Sequence, residues 1–286
     1  MAKVRDIKRH INSVGKIQQI TKAMYAISMT RVSKSKQQLL QARQYSQAQS
    51  ALVGDLIGSV AEDHPWRKGA EGLGYLFVIN ADRGLCGHFK GDLNRKAERL
   101  LKQNAASKLV LGGDKADVYF RSSSYAIEAK YINLYDKPTF QHAQQVGNDL
   151  IARYNEDRLP LDVVYMRYLN DFRQEVAVER LLPLAPPKTF GETDSGSGAL
   201  EYVYEPSQAH IFEAVIPQYV RSQIYRMLLE SKTSEHAIRR QSMKNATDNA
   251  DELIDDLTLE FNKARQQEIT KQLLDIMGGA EALKTA

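Results

Sequence analysis

The hydrophobic pattern near the C-terminus predicts one very long helix. Sixty residues, from Gln218 to Met277, contain neither proline nor glycine. At about 1.5 Å per residue this helix would be about 90 Å long, whereas globular helices average about 11–12 residues. Its apolar residues recur at spacings of three and four. They are Ala246, Ala250, Leu253, Leu257, Phe261 and Ala264, with Val220, Ile224, Met227, Leu228 and Ile238 upstream and Ile269, Leu273, Ile276 and Met277 downstream. Because the stripe is narrow and partly alanine, it predicts a coiled-coil seam.

A second long helix is predicted for residues 3–58. Its apolar residues also step by three and four, which predicts one apolar face. They are Ile7, Ile11, Val14, Ile17, Ile20, Met24 and Ile27. We expect the two terminal helices to pair antiparallel, because the segment between them can fold back as a compact unit.

The segment of residues 74–185 predicts that compact unit. Strands are expected at 74–80, 108–112, within 125–134, at 161–169 and at 175–182, with helices at 89–104, 114–121 and 139–155. Alternation of strands and helices favours a partly parallel α/β sheet, and the last two strands are close enough to form an edge hairpin.

These patterns divide the chain into four parts. We assign residues 1–60 to the N-terminal long helix, 74–185 to the α/β domain, 186–206 to a linker and 207–286 to the C-terminal long helix. Ser207 is a candidate cap for the last helix. Pro217 either opens a new helix or kinks this one. The predicted fold class is therefore α/β, with a long antiparallel coiled coil and a central Rossmann-like domain.

Charge is unevenly distributed along the chain. Residues 1–45 carry ten lysines and arginines against the single acid Asp6, although the whole chain has a net charge of only +4. A basic arm suggests an acidic partner such as nucleic acid, anionic lipid or an acidic protein loop. No apolar run approaches the length of a membrane span, and the start resembles no secretory signal. Cys86 is the only cysteine, which excludes an intrachain disulfide and is typical of a reducing compartment.

Candidate catalytic and ligand-binding chemistry is sparse. The glycine-rich turns at 82–87 and 112–115 follow strands, but neither has the spacing of a dinucleotide or P-loop motif, so we interpret both as structural. Cys86 and His88 stand too close in sequence to face each other as nucleophile and base. The six histidines show no metal-ligand spacing. We expect no catalytic residue, no metal site and no cofactor.

Two features of the long helices leave alternatives open. The C-terminal helix carries an acidic belt of Asp248, Asp251, Glu252, Asp255, Asp256 and Glu260. The belt is either a solvated face with intrahelical pairs or a charge band that meets a surrounding protein. The basic arm allows nucleic-acid binding, but it lacks the aromatic residues of a stacking platform. A nucleotide-binding α/β enzyme and a basic nucleic-acid-binding coiled coil therefore remain the alternative functions.

Several motifs carry a family resemblance. Segments 242–250 (SMKNATDNA) and 261–270 (FNKARQQEIT) closely resemble the gamma subunit of F-type ATP synthases. So do 5–8 (RDIK), 19–24 (QITKAM), 82–87 (DRGLCG), 181–184 (LLPL) and 204–206 (YEP). The resemblance covers the whole chain in order, and its C-terminal part is the most specific.

The resemblance implies a rotor shaft without catalytic residues of its own. In this family the paired helices turn inside a ring of three alpha and three beta subunits and couple ion flow to ATP synthesis or hydrolysis. The α/β domain lies below the ring, near the epsilon subunit and the membrane c-ring. The resemblance thus implies these protein partners, no nucleic acid and no direct membrane span. It places the chain peripherally at the cytoplasmic face of the bacterial cell membrane.

The resemblance also implies positions for partner contacts. Met24, Arg265, Gln266 and Thr270 match positions that contact a beta subunit, and Tyr202, Tyr204 and Glu205 match positions that face the c-ring.

The chain departs from the family pattern in two segments. The usual basic, alanine-rich run is replaced at 25–33 by YAISMTRVS, and residues 88–90 are HFK where Gly-Leu-Asn is common. The cysteine pair of the chloroplast form is missing, so we expect no thiol regulation.

Overall fold

A computed structural model describes residues 2–58, 60–70, 72, 74–104, 106–133, 136–184, 205 and 207–284. It has five helices and five strands within those residues. The helices are α1 (Ala2–Ile57), α2 (Phe89–Gln103), α3 (Asp114–Phe120), α4 (Phe140–Asp157) and α5 (Gln208–Lys284). The strands are β1 (Tyr75–Ile79), β2 (Lys108–Gly112), β3 (Ala126–Tyr131), β4 (Leu161–Tyr168) and β5 (Gln174–Leu182). The predicted mixed α/β class and each predicted element are therefore confirmed, with small shifts of the ends.

The chain divides into two compact units. One contains Met1–Met29 with Arg239–Ala286, and the other contains Thr30–Ile238. Both units include a part of α1 and a part of α5, whereas the whole sheet belongs to the second. Helix α5 continues through Pro217, which settles the alternatives at that residue in favour of one helix.

The sheet of the second unit has the strand order β3-β2-β1-β4-β5. Strands β1 to β4 are parallel, and β5 pairs antiparallel with β4 as the predicted edge hairpin. All five residues of β1 are buried, which fits its uninterrupted apolar sequence, because a central parallel strand is covered on both faces. The chain leaves β3 through α4 and returns at β4, so the strand order reverses between β1 and β4.

The core of the second unit joins the sheet to the two long helices. Leu56 of α1 and Phe212, Ile216, Val220 and Ile224 of α5 belong to the same buried cluster as the strands. The upstream part of the predicted α5 stripe is therefore confirmed. Its burial supplies the apolar area that holds these helix segments against the sheet.

In the first unit, segments of α1 and α5 run antiparallel. Thr247 contacts Thr21 at 2.8 Å between hydroxyl oxygens, and Asp251 accepts from the amide of Gln18. Residue numbers along α5 thus rise as the numbers of the contacting residues along α1 fall. Positions at heptad spacing lie in the α1 seam, as expected for knobs-into-holes packing. They are the buried or half-buried Val4, Ile7, Ile11, Val14, Gln18, Thr21 and Ser28.

The predicted continuation of the α1 seam through three isoleucines is wrong. Ile17, Ile20 and Ile27 are 55%, 60% and 53% exposed, whereas Ile7 and Val14 are buried. At about 100° per residue, each three-residue step rotates the position by about −60°, so three successive steps carry Ile20 about 180° from Ile11. The seam instead steps from Val14 to Gln18 and Thr21, and the isoleucines lie outside it.

The predicted α5 stripe is also wrong in part. Ala250 and Ala264 are buried and Leu257 is half-buried, at successive heptad positions. Leu253 is 41% exposed because it falls between seam positions. The four apolar residues at the downstream end lie on the exposed surface; they are Ile269, Leu273, Ile276 and Met277.

Candidate functional site on the long helices

The predicted beta-contact residues of α5 lie on its surface. Arg265, Gln266 and Thr270 are all exposed, and they follow the buried seam residue Ala264 by one, two and six positions. Arg265 lines a cleft of about 560 Å³ in the first unit. The other residues of this cleft are Val4, Arg5 and Lys8 from α1 and Phe261, Glu268, Ile269 and Gln272 from α5.

Met24 lies apart from these residues. It is half-buried on α1, in the region where Thr21 contacts Thr247, whereas Arg265 shares its cleft with Arg5. Nineteen residues separate Arg5 from Met24, which corresponds to about 29 Å along a helix. The predicted contact residues therefore lie at two separate sites on the paired helices.

The predicted c-ring contacts are described only in part. Tyr202 and Tyr204 lie outside the described residues, and Glu205 is exposed. The side chain of Ser207 accepts a hydrogen bond from the backbone of His210 at 3.3 Å, which confirms Ser207 as the cap of α5.

Large apolar side chains are exposed on both helices of the first unit. On α1 they are Ile17, Ile20 and Ile27, and on α5 Leu259, Leu274 and Ile276 are each more than 60% exposed. Clustered exposed apolar side chains are typical of a protein interaction surface. Sequence reasoning missed this feature on α1, and the heptad phase of the neighbouring residues is the signal that could have found it.

The acidic belt lies on the surface of the same unit. Asp251 is bound across the seam by Gln18. Asp248, Glu252, Asp255 and Asp256 are exposed and make no ion pair within the described residues. The intrahelical pairs of the first alternative are thus absent for these four carboxylates, which lie on an exposed face where a partner could also reach them.

The glycine-rich turns are explained by local structure. The carboxylate of Asp82 accepts hydrogen bonds from the backbone of Asp114 at 3.0 Å and of Asn133 at 3.2 Å. Asp82 thereby ties together the loops that follow β1, β2 and β3. Gly113 has φ +94°, and a Cβ there would stand 2.3 Å from the carbonyl oxygen of Asn80. Only glycine fits this close approach. We therefore interpret the turns as structural, because they hold the loops that follow the strands in place.

Cys86 and His88, the pair considered as nucleophile and base, make separate contacts. His88 faces Asp92 at 2.6 Å, whereas buried Cys86 donates weakly to the carbonyl of Arg83 at 3.8 Å. Among the described residues, no three histidines, cysteines or carboxylates gather as a metal site. No helix in the described part of the chain is long and apolar enough to cross a membrane.

Helix α5 fills the end of the sheet where doubly wound folds bind ligands. Such ligands bind at the carboxyl ends of the strands, where the strand order reverses. Here β4 extends beyond its pairing with β1, and the backbone of Met166 donates to Ser231 at 2.9 Å. The backbone of Tyr168 donates to Glu230 at 3.1 Å, and Ser234 donates back to the carbonyl of Met166 at 3.3 Å. The polar side chains of α5 therefore occupy the crevice that a nucleotide would need.

An ionic cluster binds both long helices to the β4–β5 hairpin. Glu230 of α5 contacts Arg43 of α1 at 3.1 Å and Arg226 at 3.4 Å. Arg226 also pairs with Glu179 of β5, which in turn pairs with Arg167 of β4. We call these five residues the hairpin clamp.

The electrostatics of the hairpin clamp keep its groups charged. Burial alone would raise the pKa of Glu179, but the positive charge of Arg226, with help from Tyr165 and Arg167, holds it below its ordinary value. Burial raises the pKa of the neighbouring Tyr165 to about 12. Because each buried charge has a partner of opposite sign, the cluster avoids the large cost of an unpaired buried ion. Sequence reasoning missed the hairpin clamp, since its members are far apart in the chain.

Comparisons with known proteins agree with the motifs. A family model described as ATP synthase matches residues 3–283. The ATP synthase gamma chain of Pelotomaculum thermopropionicum is 38% identical, over 99% of this chain and 100% of the relative. That of Moorella thermoacetica is also 38% identical, with the same coverage.

Solved structures show the same fold. The rotor of the Euglena gracilis mitochondrial ATP synthase in rotational state 1 gives a TM-score of 0.64 at 20% identity, over 94% of this chain and 99% of that chain. The OSCP/F1/c-ring structure of the same enzyme in rotational state 3 includes a chain with a TM-score of 0.66. The resemblance of the motifs is thus confirmed, and the chain belongs to the ATP synthase gamma chain family.

Proposed function

We propose that this chain is the central rotor shaft of an F-type ATP synthase and carries no catalytic residue of its own. The observation that carries the proposal is the first unit. It consists of two paired helix segments whose exposed isoleucines and exposed carboxylates are available to a surrounding partner. A ring of alpha and beta subunits supplies that partner. The epsilon subunit and the c-ring then contact the second unit, at the cytoplasmic face of the bacterial membrane.

The mechanism rests on the different faces of the helix pair. Ile17, Ile20 and Ile27 present apolar surface on α1, whereas the acidic belt presents carboxylates on α5. A beta subunit that faces the isoleucines meets a different surface from one that faces the belt. Only such a difference in contact free energy can shift the conformational equilibrium of a catalytic subunit. Rotation then brings each face to each beta subunit in turn.

The second unit transmits torque between the ring and the membrane sector. The hairpin clamp ties α1 and α5 to the β4–β5 hairpin through paired charges. A force applied to the sheet is therefore passed to both helices together. We place the c-ring contact at Tyr202, Tyr204 and Glu205, next to the capped start of α5.

The beta-subunit contacts are proposed at two levels of the shaft. Arg265, Gln266 and Thr270 form one, where exposed polar groups on α5 can hydrogen-bond a beta loop. Met24 forms the other, between the basic residues of α1.

Co-expression with alpha and beta subunits of a bacterial relative tests the function. We expect a complex that contains three copies of each ring subunit and one copy of this chain, and that hydrolyses ATP. Failure of the chain to co-purify with the ring would contradict the proposal.

A substitution in the same complex tests the contact site. We expect Arg265→Ala to lower the ATPase rate by about tenfold, a loss of about 1.4 kcal/mol of transition-state stabilisation. Arg99→Ala, on the exposed surface of α2, is the matched control and should leave the rate unchanged. An equal rate in both variants would remove Arg265 from the contact.

A further inference from the structure

A second cleft, in the unit of residues 30–238, has no part in the proposed rotation. Its volume is about 320 Å³, near the small end of the usual range of ligand pockets. It lies between α1, α5 and the segment that leads into α4. Its lining residues are Arg31, Lys34, Ser35, Gln38, Asp136, Lys137, Pro138, Thr139, Leu229, Lys232 and His236.

Positive charge dominates the walls of this cleft. Arg31 and Lys34 project from adjacent positions on one face of α1, since residues three apart are neighbours on a helix. Lys137 lines the opposite wall. None of these three side chains makes an ion pair within the described residues, and all three are exposed at the rim.

The floor of the cleft is a buried cation. The Lys232 side chain is only 6% exposed, and its ammonium lies 3.0 Å from Glu235 and 3.6 Å from Asp136. Asp136 is the one carboxylate in the lining, and it is also bound by Arg83 at 3.1 Å. With Arg83 and Glu235 included, these described residues comprise five cations and two carboxylates, an excess of three positive charges. The cations are Arg31, Lys34, Arg83, Lys137 and Lys232, and the carboxylates are Asp136 and Glu235.

The helix at the cleft wall adds to this field. Thr139 caps α4, an 18-residue helix, and Pro138 and Thr139 both line the cleft. The first N–H groups of a helix and its dipole favour a bound anion. A recessed cationic cleft also concentrates field lines and raises the local concentration of small anions.

We propose that this cleft binds a phosphate group, either as free inorganic phosphate or as the phosphoryl end of a nucleotide. Lysine binds phosphate as a point charge, and arginine binds it through two parallel hydrogen bonds. The small volume and the buried floor favour a compact tetrahedral anion over an acidic peptide. This inference is separate from the proposed rotation, because it concerns the binding of a small anion to the chain by itself.

Calorimetric titration of the purified full chain with inorganic phosphate at low ionic strength tests the inference. We expect saturable binding at one site per chain. The variant Lys34→Gln/Lys137→Gln should bind phosphate at least about tenfold more weakly, because it removes two charge-assisted contacts. The variant Lys68→Gln/Lys90→Gln removes the same charge from exposed positions outside the cleft and should bind like the parent chain.

Competition identifies the source of the phosphate group. If ATP displaces inorganic phosphate, the cleft binds a nucleotide phosphoryl group, and if it does not, the cleft binds the free anion. Absence of saturable phosphate binding overturns the proposal. So does equal weakening in the two double variants, which would indicate diffuse electrostatic attraction. If phosphate does not bind but polyglutamate binds the parent chain and not the Lys34→Gln/Lys137→Gln variant, the cleft instead takes an acidic protein partner.

Discussion

Different chemistry holds the two long helices together in the two units. In the unit of residues 1–29 and 239–286, the seam is narrow, and it combines apolar residues such as Ile7 and Val14 with small or polar residues such as Thr21 and Ala264. In the unit of residues 30–238, the same helices share a large apolar core with the sheet and carry the hairpin clamp. Helix α5 is continuously buried there from Met227 to Ile238, and this stretch includes the polar residues from Glu230 to His236.

The difference shows how one helix can serve two purposes. A narrow seam buries little apolar area, so it leaves most of each helix surface available to a surrounding protein. A helix buried on all sides offers no such surface, but its paired charges and hydrogen bonds fix it to the sheet. The first arrangement suits a surface that other subunits contact, and the second suits an anchor.

The largest expected effect is the loss of a hairpin clamp residue. Glu230→Ala would remove the carboxylate that pairs with Arg43, one of the two carboxylates that pair with Arg226, and the side-chain acceptor of the Tyr168 backbone N–H. We expect it to lower the free energy of unfolding by about 3–5 kcal/mol, the usual cost of breaking a buried ion pair. Chemical denaturation of the full chain measures this loss.

The control for this prediction lies on the same helix in the other unit. Glu252→Ala removes an exposed carboxylate of the acidic belt and should change the free energy of unfolding by no more than about 0.5 kcal/mol. Equal losses in the two variants would show that the two units are not held differently.

A smaller effect distinguishes the seam from the outer surface of α1. Ile7→Ala removes a buried seam residue and should destabilise the paired helices by about 2 kcal/mol, the low end for such a change, because the seam is narrow. Ile20→Ala is the same substitution at a position 60% exposed and should cost less than about 0.5 kcal/mol. Hydrogen exchange of the α1 amides measures both, and a greater loss at Ile20 would restore the original seam prediction.

The smallest effect is a change in acid stability. The pKa of Glu179 lies below its ordinary value of 4.5 in the folded chain, so the unfolded chain binds its proton more readily. The stabilisation by Glu179 is therefore present above pH 4.5 and is lost as the pH falls through the folded pKa. We expect Glu179→Gln to reduce the fall in unfolding free energy between pH 5 and pH 3, measured by denaturation at each pH. Glu252→Gln should show the same fall as the parent chain. If Glu179→Gln also shows the same fall, Glu179 does not contribute to the acid dependence of stability.

Much of the fold was predictable because its signals are local. Strand β1 is a short apolar run followed by a turn, and α2 repeats apolar residues at Phe89, Leu93, Ala97 and Leu101. A sixty-residue stretch without proline or glycine predicted α5, apolar residues at spacings of three and four predicted α1, and Ser207 predicted the start of α5. The candidate site was less predictable, because its motifs named Arg265 and Met24 without placing them on one surface.

The sequence by itself determined the element types, the family and the existence of two long helices. Propensity, capping and periodicity act between residues that are close along the chain, so one sequence reveals them. The heptad phase of α1 already indicates from the sequence that Ile17, Ile20 and Ile27 face outward. Tertiary structure alone decided that Ser231 and Glu230 fill the crevice of the sheet and that Arg226 pairs with Glu179. These contacts join residues far apart in the chain. Such distant contacts arise only when the whole chain packs.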